Sequence, residues 1–392
     1  MLSTPNFSLR SRKHPEGINK ISQGPEWKTG GGEIKTMRKI LIAFFLLMAV
    51  SNCLAEEEKP KQVESDQLSQ TVITSYVQSD IVEGKNLMYC STFQIAWDVL
   101  SDDIIKEPLR LNGNPLMAQM LNERLTGKED ISEDCYLAMA GLNKDGIVEK
   151  IKQALKEKFN EEPGLDISLR QPDDILAYAF LLKDLKFAKE FEGLDQPIYF
   201  RDKTSVKAFG IEQYAFDEKR RSLGEQVSIL DYQNDDDFII SLKSVSPKDE
   251  IILAKIVPQK TMLETMDSVF NRISSARPSV MAKDETLRIP KLDFDVLHSY
   301  TELSGRAVLN KGFEKYFISK AIQSIRFRLN EKGALLRSEA AIEIAMGISR
   351  DIPKRPRLFI FDKPFLICLK EKGAKYPYFS MWVDNAELLL QK

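Results

Sequence analysis

Apolar residues recur along the chain with two periods, and the period shortens past its middle. Phe93, Ala96, Trp97 and Leu100 stand at i, i+3, i+4 and i+7, which predicts an amphipathic helix. Residues 67–82 read as a helix before it. A third follows Pro115, a residue suited to a first helical turn. Ile147, Val148, Ile151, Leu155 and Phe159 predict a longer helix, with a Lys-rich outer face from Lys150 to Lys158 that reads as solvated surface. After Pro172 the texture changes. Residues 175–182 are nearly all apolar and read as a strand buried on both faces. Short alternating runs follow at 206–209, 227–230, 238–242 and 251–256, with turn residues between them. Met262, Leu263, Met266, Val269, Phe270 and Ile273 mark one more helix. From Leu287 the pattern is mainly strand, apart from a helix expected around 308–317. Helices first and strands later predict an α+β fold. No repeat or low-complexity tract interrupts 69–389, which reads as one domain.

One stretch carries an unusual pattern. Ile325, Phe327 and Leu329 alternate with Arg326 and Arg328, as in a half-buried strand. Past Gly333 the phase switches. Ala334, Leu336, Ser338, Ala340, Ile342, Ile344, Met346 and Ile348 share one face. Leu335, Arg337, Glu339, Ala341, Glu343, Ala345 and Gly347 share the other. A period of two commits one face to a core and the other to solvent. A segment in the position of a loop is thus written as a strand, able to enter between two others. No charge falls on its apolar face from Ala334 to Ile348, and Gly333 suits the reversal needed to fold back on 325–329.

Composition adds an export signal. Of the 392 residues, Met37 opens a basic start, an apolar run and small residues ending in Cys53-Leu-Ala55. This reads as a secretory signal peptide over 37–55, too short for a membrane span with these flanks. Residues 1–36 are polar and unpatterned, and Gly30-Gly-Gly-Glu33 just precedes Met37, as a translated bacterial ribosome-binding site would. Met37 is the expected true start, and 1–36 an untranslated leader. From Glu56 onward 48 Lys and Arg face 55 Asp and Glu, a net of −7. An acidic chain without a basic cluster argues against nucleic acid. Residues 56–68 are acidic, contain Pro and lack apolar pattern, so a disordered tether is expected there. Val50-Ser-Asn-Cys53 also reads as an imperfect lipobox, with Asn52 where Gly or Ala is usual; Cys53 is a candidate lipid attachment. The expected location is extracellular or periplasmic, soluble or lipid-anchored. Cys90, Cys135 and Cys368 are not spaced as a disulfide framework and are expected to be buried free thiols.

Catalytic chemistry finds little to work with. Of the two histidines, His14 lies in the leader, which leaves His298 among Leu297, Ser299 and Tyr300 with no nucleophile motif nearby. A structural or surface histidine is the expectation. Zinc spacing, a Walker loop and a Gly-rich strand-to-helix turn are all lacking. Asp231 with Asp235-Asp-Asp237 lacks the twelve-residue spacing of a calcium loop and reads as a charged hairpin turn. The chain reads as a non-enzyme without metal, cofactor or small-molecule substrate.

Several motifs, in order, resemble the serpin family over about residues 69–389. Asn86 to Ala96 resembles the buried strand and helix near the serpin N-terminus. Ala177 to Lys183, with Phe187 and Phe191, resembles the central strand and its exit. Arg288-Ile-Pro-Lys-Leu292 resembles the Pro-Lys strand. Asn330-Glu-Lys-Gly333, Ser338-Glu-Ala-Ala341 and Phe361-x-x-Pro-Phe365 resemble the hinge, reactive loop and following strand, and Tyr378 to Ala386 the last strand. The resemblance implies helices packed on a large, mostly antiparallel sheet, further sheets, and an exposed reactive loop at about 334–356. It implies a monomer that inhibits a serine protease: the loop is bait, and after cleavage it enters the sheet as a strand. The hinge would comprise Glu331, Lys332, Gly333, Ala334, Ser338, Glu339, Ala340 and Ala341. Ile342, Ile344, Met346 and Ile348 would form the entering face. Counting along the loop places the bait bond between Gly347 and Asp351, and Arg350-Asp351 implies a trypsin-like target; Lys354 and Arg355 compete. The chain also departs from the inhibitory pattern. Ala334-Leu-Leu-Arg337 intervenes before Ser338, Phe187 stands at the family's Trp, and Met381 at the Gly of the last strand. A non-inhibitory serpin-fold binding protein of the cell envelope is the alternative.

Overall fold

The alternating runs become strands, and among the described residues their order along the chain builds four sheets. The computed structural model describes residues 60–201, 203–212, 218–275, 277–335 and 356–392. The expected signal segment and Cys53 lie outside these residues. So do Ser338, Glu339, Ala340, Ala341, Ile342, Ile344, Met346, Ile348, Arg350, Asp351, Lys354 and Arg355. In chain order the strands are β1 (Gln62–Glu64), β2 (Thr71–Thr74), β3 (Asn86–Cys90), β4 (Tyr136–Leu142), β5 (Ile175–Leu181), β6 (Leu185–Lys186) and β7 (Glu192–Phe200). Then come β8 (Thr204–Ile211), β9 (Val227–Asn234), β10 (Asp237–Leu242), β11 (Asp249–Lys255), β12 (Ser279–Val280) and β13 (Thr286–Pro290). The last are β14 (Leu292–Ser299), β15 (Ile322–Asn330), β16 (Gly333–Leu335), β17 (Leu358–Ile360), β18 (Phe365–Glu371) and β19 (Phe379–Val383). The α-helices are α1 (Thr92–Val99), α2 (Leu116–Glu123), α3 (Ile147–Phe159), α4 (Glu218–Gly224) and α5 (Met262–Ser274).

Sheet A runs β1-β14-β15-β16-β6; sheet B runs β12-β9-β10-β11-β18-β19-β3-β2; sheet C runs β17-β13-β8-β7; and β4 pairs with β5 as a separate ribbon. Pairing is antiparallel except at β1–β14, β2–β3 and β13–β17. The class is α+β. The main core fills the space between the sheets, with Phe327 and Leu329 of β15, Phe209 of β8 and Phe365 and Ile367 of β18 all fully buried. Helix α5 starts at a capping box, Thr261 with Glu264, and lays Met262, Met266 and Val269 against Ile252, Leu366 and Trp382 on the far face of sheet B. Among the described residues no helix is long and apolar enough to cross a membrane.

Predicted helices form at α1, α2, α3 and α5, and Pro115 caps α2 one position before its first turn. Several expectations fail. Residues 67–82 are not a helix: the β-branched run Thr71-Val-Ile-Thr74 pairs with β3 instead, and Glu387 collects donors from Ser69, Gln70 and Thr71. Residues 308–317 form turns, because Gly305 and Gly312 at positive φ break the run and Val308 bridges to Leu111. Strand β5 is only half-buried outside Tyr178, since its single described ladder partner is β4. Strands also precede most helices, so the helix-then-strand order does not hold. Within the segment 56–68, expected to be a tether, Gln62–Glu64 form β1 on sheet A.

Candidate functional site

Strand β15 ends at Asn330, a two-residue turn of Glu331 and Lys332 follows, and β16 runs back beside it. The pairs are Asn330↔Gly333, Leu329↔Ala334 and Arg328↔Leu335. On its other edge β16 pairs with β6, Gly333↔Lys186 and Ala334↔Leu185. Gly333 and Ala334 are therefore seated between two strands of sheet A, and the expectation of an exposed loop from Ala334 is corrected at its first residues. Ala334 is 0% exposed and belongs to the main core. This is the face assigned to it by alternation.

The turn is held on every side. Gly333 adopts φ +149°, and a Cβ there would stand 2.4 Å from the Leu185 carbonyl oxygen, so only glycine fits without strain. The Phe187 amide donates to the Lys332 carbonyl at 2.9 Å, and the Phe191 amide to that of Glu331 at 2.8 Å. The two rings meet edge to face, 4.8 Å apart. Phe187 thus holds the turn through its backbone amide. Lys291 Nζ lies 2.5 Å from Glu331 Oε2. Burial works against the Glu331 carboxylate, but Lys291 more than offsets it, and its pKa falls below the ordinary range.

Below Gly333 the strands that flank β16 share no ladder among the described residues, and the stretch between them is termed a slot. Among the described residues, β15 from Ile322 to Phe327 has a ladder partner on one side only, β14, and β5 has only β4. No ladder among these residues joins β5 to β15. Yet β5 leads through 182–184 into β6, which flanks the other side of β16. The two lips of this slot are each anchored from beneath. On the β15 side, Gln323 donates to Thr92 Oγ1 at 2.6 Å and to the Cys90 carbonyl, and accepts from Tyr300. On the β5 side, Lys183 is 1% exposed and bonds Asp249 at 2.8 Å and Glu371 at 2.5 Å. Asp249 and Glu371 face each other directly across β11 and β18, a like-charge pair that Lys183 neutralises. Tyr378 and Ser246 bond Asp249, and Ser132 bonds Glu371. Burial opposes the charge on Lys183, but its two carboxylates win and its pKa is raised.

Downstream of the loop the chain re-enters at β17, parallel to β13 in sheet C. Arg357 pairs with the buried Glu285 and lies over Tyr232, and the Leu358 amide donates to Asp235. Lys255 bonds the Ile360 carbonyl and Asp362. The Asp cluster thus serves this anchor: Asp235 and Asp236 form the β9–β10 turn, and Arg272 bridges Asp231 and Asp237. No metal-binding group exists among the described residues. His298 is half-buried and meets Ser65 Oγ at 2.6 Å. Cys90, Cys135 and Cys368 are buried free thiols. The Lys183 centre, the Gln323 anchor and the Lys291–Glu331 pair escaped the sequence reading. A lone lysine ending an apolar run was the one visible signal.

No family model and no curated protein matches the chain. Among solved structures, Serpin48 of the insect Tenebrio molitor is similar over 76% of this chain and 91% of its own, at 12% identity and a TM-score of 0.43. Thyroxine-binding globulin in complex with thyroxine is similar over 62% of this chain and 65% of its own, at 14% identity and a TM-score of 0.36. At these scores the likeness is one of general layout, and the functional reading rests on residues of this chain.

Proposed function

We propose that the protein is a serpin-like inhibitor of a serine protease whose loop, once cut, continues β16 down the slot between β15 and β5. One observation carries this reading: β16 is already seated between β15 and β6 in a register that the lips below can extend. Extending the β6 register sets Leu336 across from Lys183, Ser338 from Leu181, Ala340 from Ala179, Ile342 from Ala177 and Ile344 from Ile175. Ala179 and Leu181 pack on the main core, so the apolar face of the entering strand meets the core face of β5. Entry would pair the edges of both lips that have no ladder partner among the described residues. Burying Ile342 and Ile344 would add roughly 1.5–3 kcal/mol each, an upper estimate. Strand β5 ends at Ile175, so Met346 and Ile348 would lie past the ladder and Arg350-Asp351 beyond them, available as bait. The protein acts after export from the cell, free or held by a lipid on Cys53.

The test is direct. Incubation with trypsin-like proteases should yield a covalent complex that survives denaturant, and Arg350→Ala should abolish it. Clean cleavage without a complex would overturn inhibition.

A second reading, a non-inhibitory binding protein of the envelope, is favoured by one feature of the register. It sets Arg337 directly across from Arg326 on the outer face, and like charges so placed oppose entry. A cut chain that melts no higher than the intact one would select this reading.

A further inference from the structure

Sheet A has a strand that neither the slot nor the loop requires. Strand β1 lies parallel on the outer edge of β14, with Gln62↔Asp295, Val63↔Val296 and Glu64↔Leu297. Gln62 Nε2 donates to Asp295 Oδ1 at 3.0 Å and to Ser324 Oγ at 3.2 Å, reaching past β14 to β15. One residue on, Ser65 opens a single 3₁₀ turn, Ser65–Gln67, and its Oγ lies 2.6 Å from His298 Nδ1. Three ladder positions of parallel strand are a weak hold by themselves.

We propose that residues 62–67 are a releasable strap on the outer edge of sheet A, keyed by the Ser65–His298 contact and let go when His298 takes up a proton. The path inward is short. The His298 ring stands edge-on to Tyr300 at 4.4 Å, and the Tyr300 hydroxyl donates to Gln323 on β15, the register partner of His298. Gln323 holds that lip of the slot to Thr92 and the Cys90 carbonyl. The strap thus braces the same strand from its far side.

The surroundings of the ring set the sign. Burial pushes the His298 pKa down, and Glu302 opposes this only in part. Alternation puts Asp295 and Glu64 on the other face of the sheet, and Asp295 is engaged by Gln62. Asp66 stands in the strap's own turn, and from beneath come the uncharged Gln323 and Phe93, whose ring packs on Tyr300. A hydroxyl can bond either form of the imidazole, so the proton does not break the contact; it charges a ring short of water. Releasing the strap would return water to that ring. Docking is therefore full above the ordinary imidazole value of about 6.5 and is lost as pH falls through the lower docked value.

Hydrogen exchange on the full chain tests this at about pH 7.5 and about pH 5.5, corrected for intrinsic exchange. Amides of 62–67 should be protected at the higher pH and lose that protection at the lower. His298→Gln, which can still bond Ser65, should hold its protection at both. Ser65→Ala should speed exchange of 62–67 by about fivefold at the higher pH, the effect of one hydrogen bond. Ser65 sits in a surface turn, so this variant reports even where His298→Gln fails to fold. Equal protection of the wild-type strap at both pH values, or no change in Ser65→Ala, would overturn the proposal. Neither result bears on whether the cut loop enters the slot.

Discussion

At Gly333 the backbone decides what the side chain can be. Its φ of +149° and the Leu185 carbonyl beside it leave no room for a methyl group. Gly333→Ala should destabilise the protein by roughly 1–3 kcal/mol, read as a lowered thermal midpoint, with the loss centred on β16 in hydrogen exchange. Lys183 is the electrostatic counterpart. Removing it leaves Asp249 and Glu371 facing each other without a cation. Lys183→Met should lose roughly 3–5 kcal/mol in denaturant unfolding at neutral pH. The sequence announced Gly333, because a phase change in the alternation needs a reversal. It could not announce Lys183, because its partners lie 66 and 188 positions away and are paired only by the register of sheet B.

At the scale of elements, the Glu331–Lys332 turn joins β15 to β16 and ties both to β13's neighbour Lys291. The Glu331 pKa is depressed in the folded protein, so its stabilisation is present above the ordinary glutamate value and fades as pH falls through the lower folded one. Glu331→Gln should lower stability by about 1 kcal/mol at neutral pH, and the difference from wild type should vanish in acid, as urea midpoints would show. Periods of two and 3.6 made most of these elements legible in advance, from the α1 pattern to β15. Where the reading failed, a competing term had won. The β-branched Thr71–Thr74 found a ladder on β3, and glycines broke 308–317. Residues 62–67 have no apolar pattern because backbone pairing and the side chains of Gln62 and Ser65, not burial, hold them. The slot itself was legible only as a spare strand; that no described ladder joins β5 to β15 is a property of pairing, which no local pattern carries.

For the whole molecule, the proposal requires two states of one chain with different stability. Cutting the loop near Arg350 should raise the thermal midpoint sharply if the freed segment enters, and leave it nearly unchanged if it does not. Calorimetry of intact and nicked protein would separate the two. The anchor at β17 should stay put in both, since Glu285, Asp235 and Lys255 hold it.

The β15–β16 turn has a kinetic meaning as well. Finding the right alignment is the slow part of joining distant strands, because chain entropy is lost before contacts reward it. Here the first rungs are laid before any cut in the chain. Growth from them is a matter of elongation, one residue after the next, with no search. The pace of such a process would be set by the rungs next to β16, and the distal half of the segment would have little say in it.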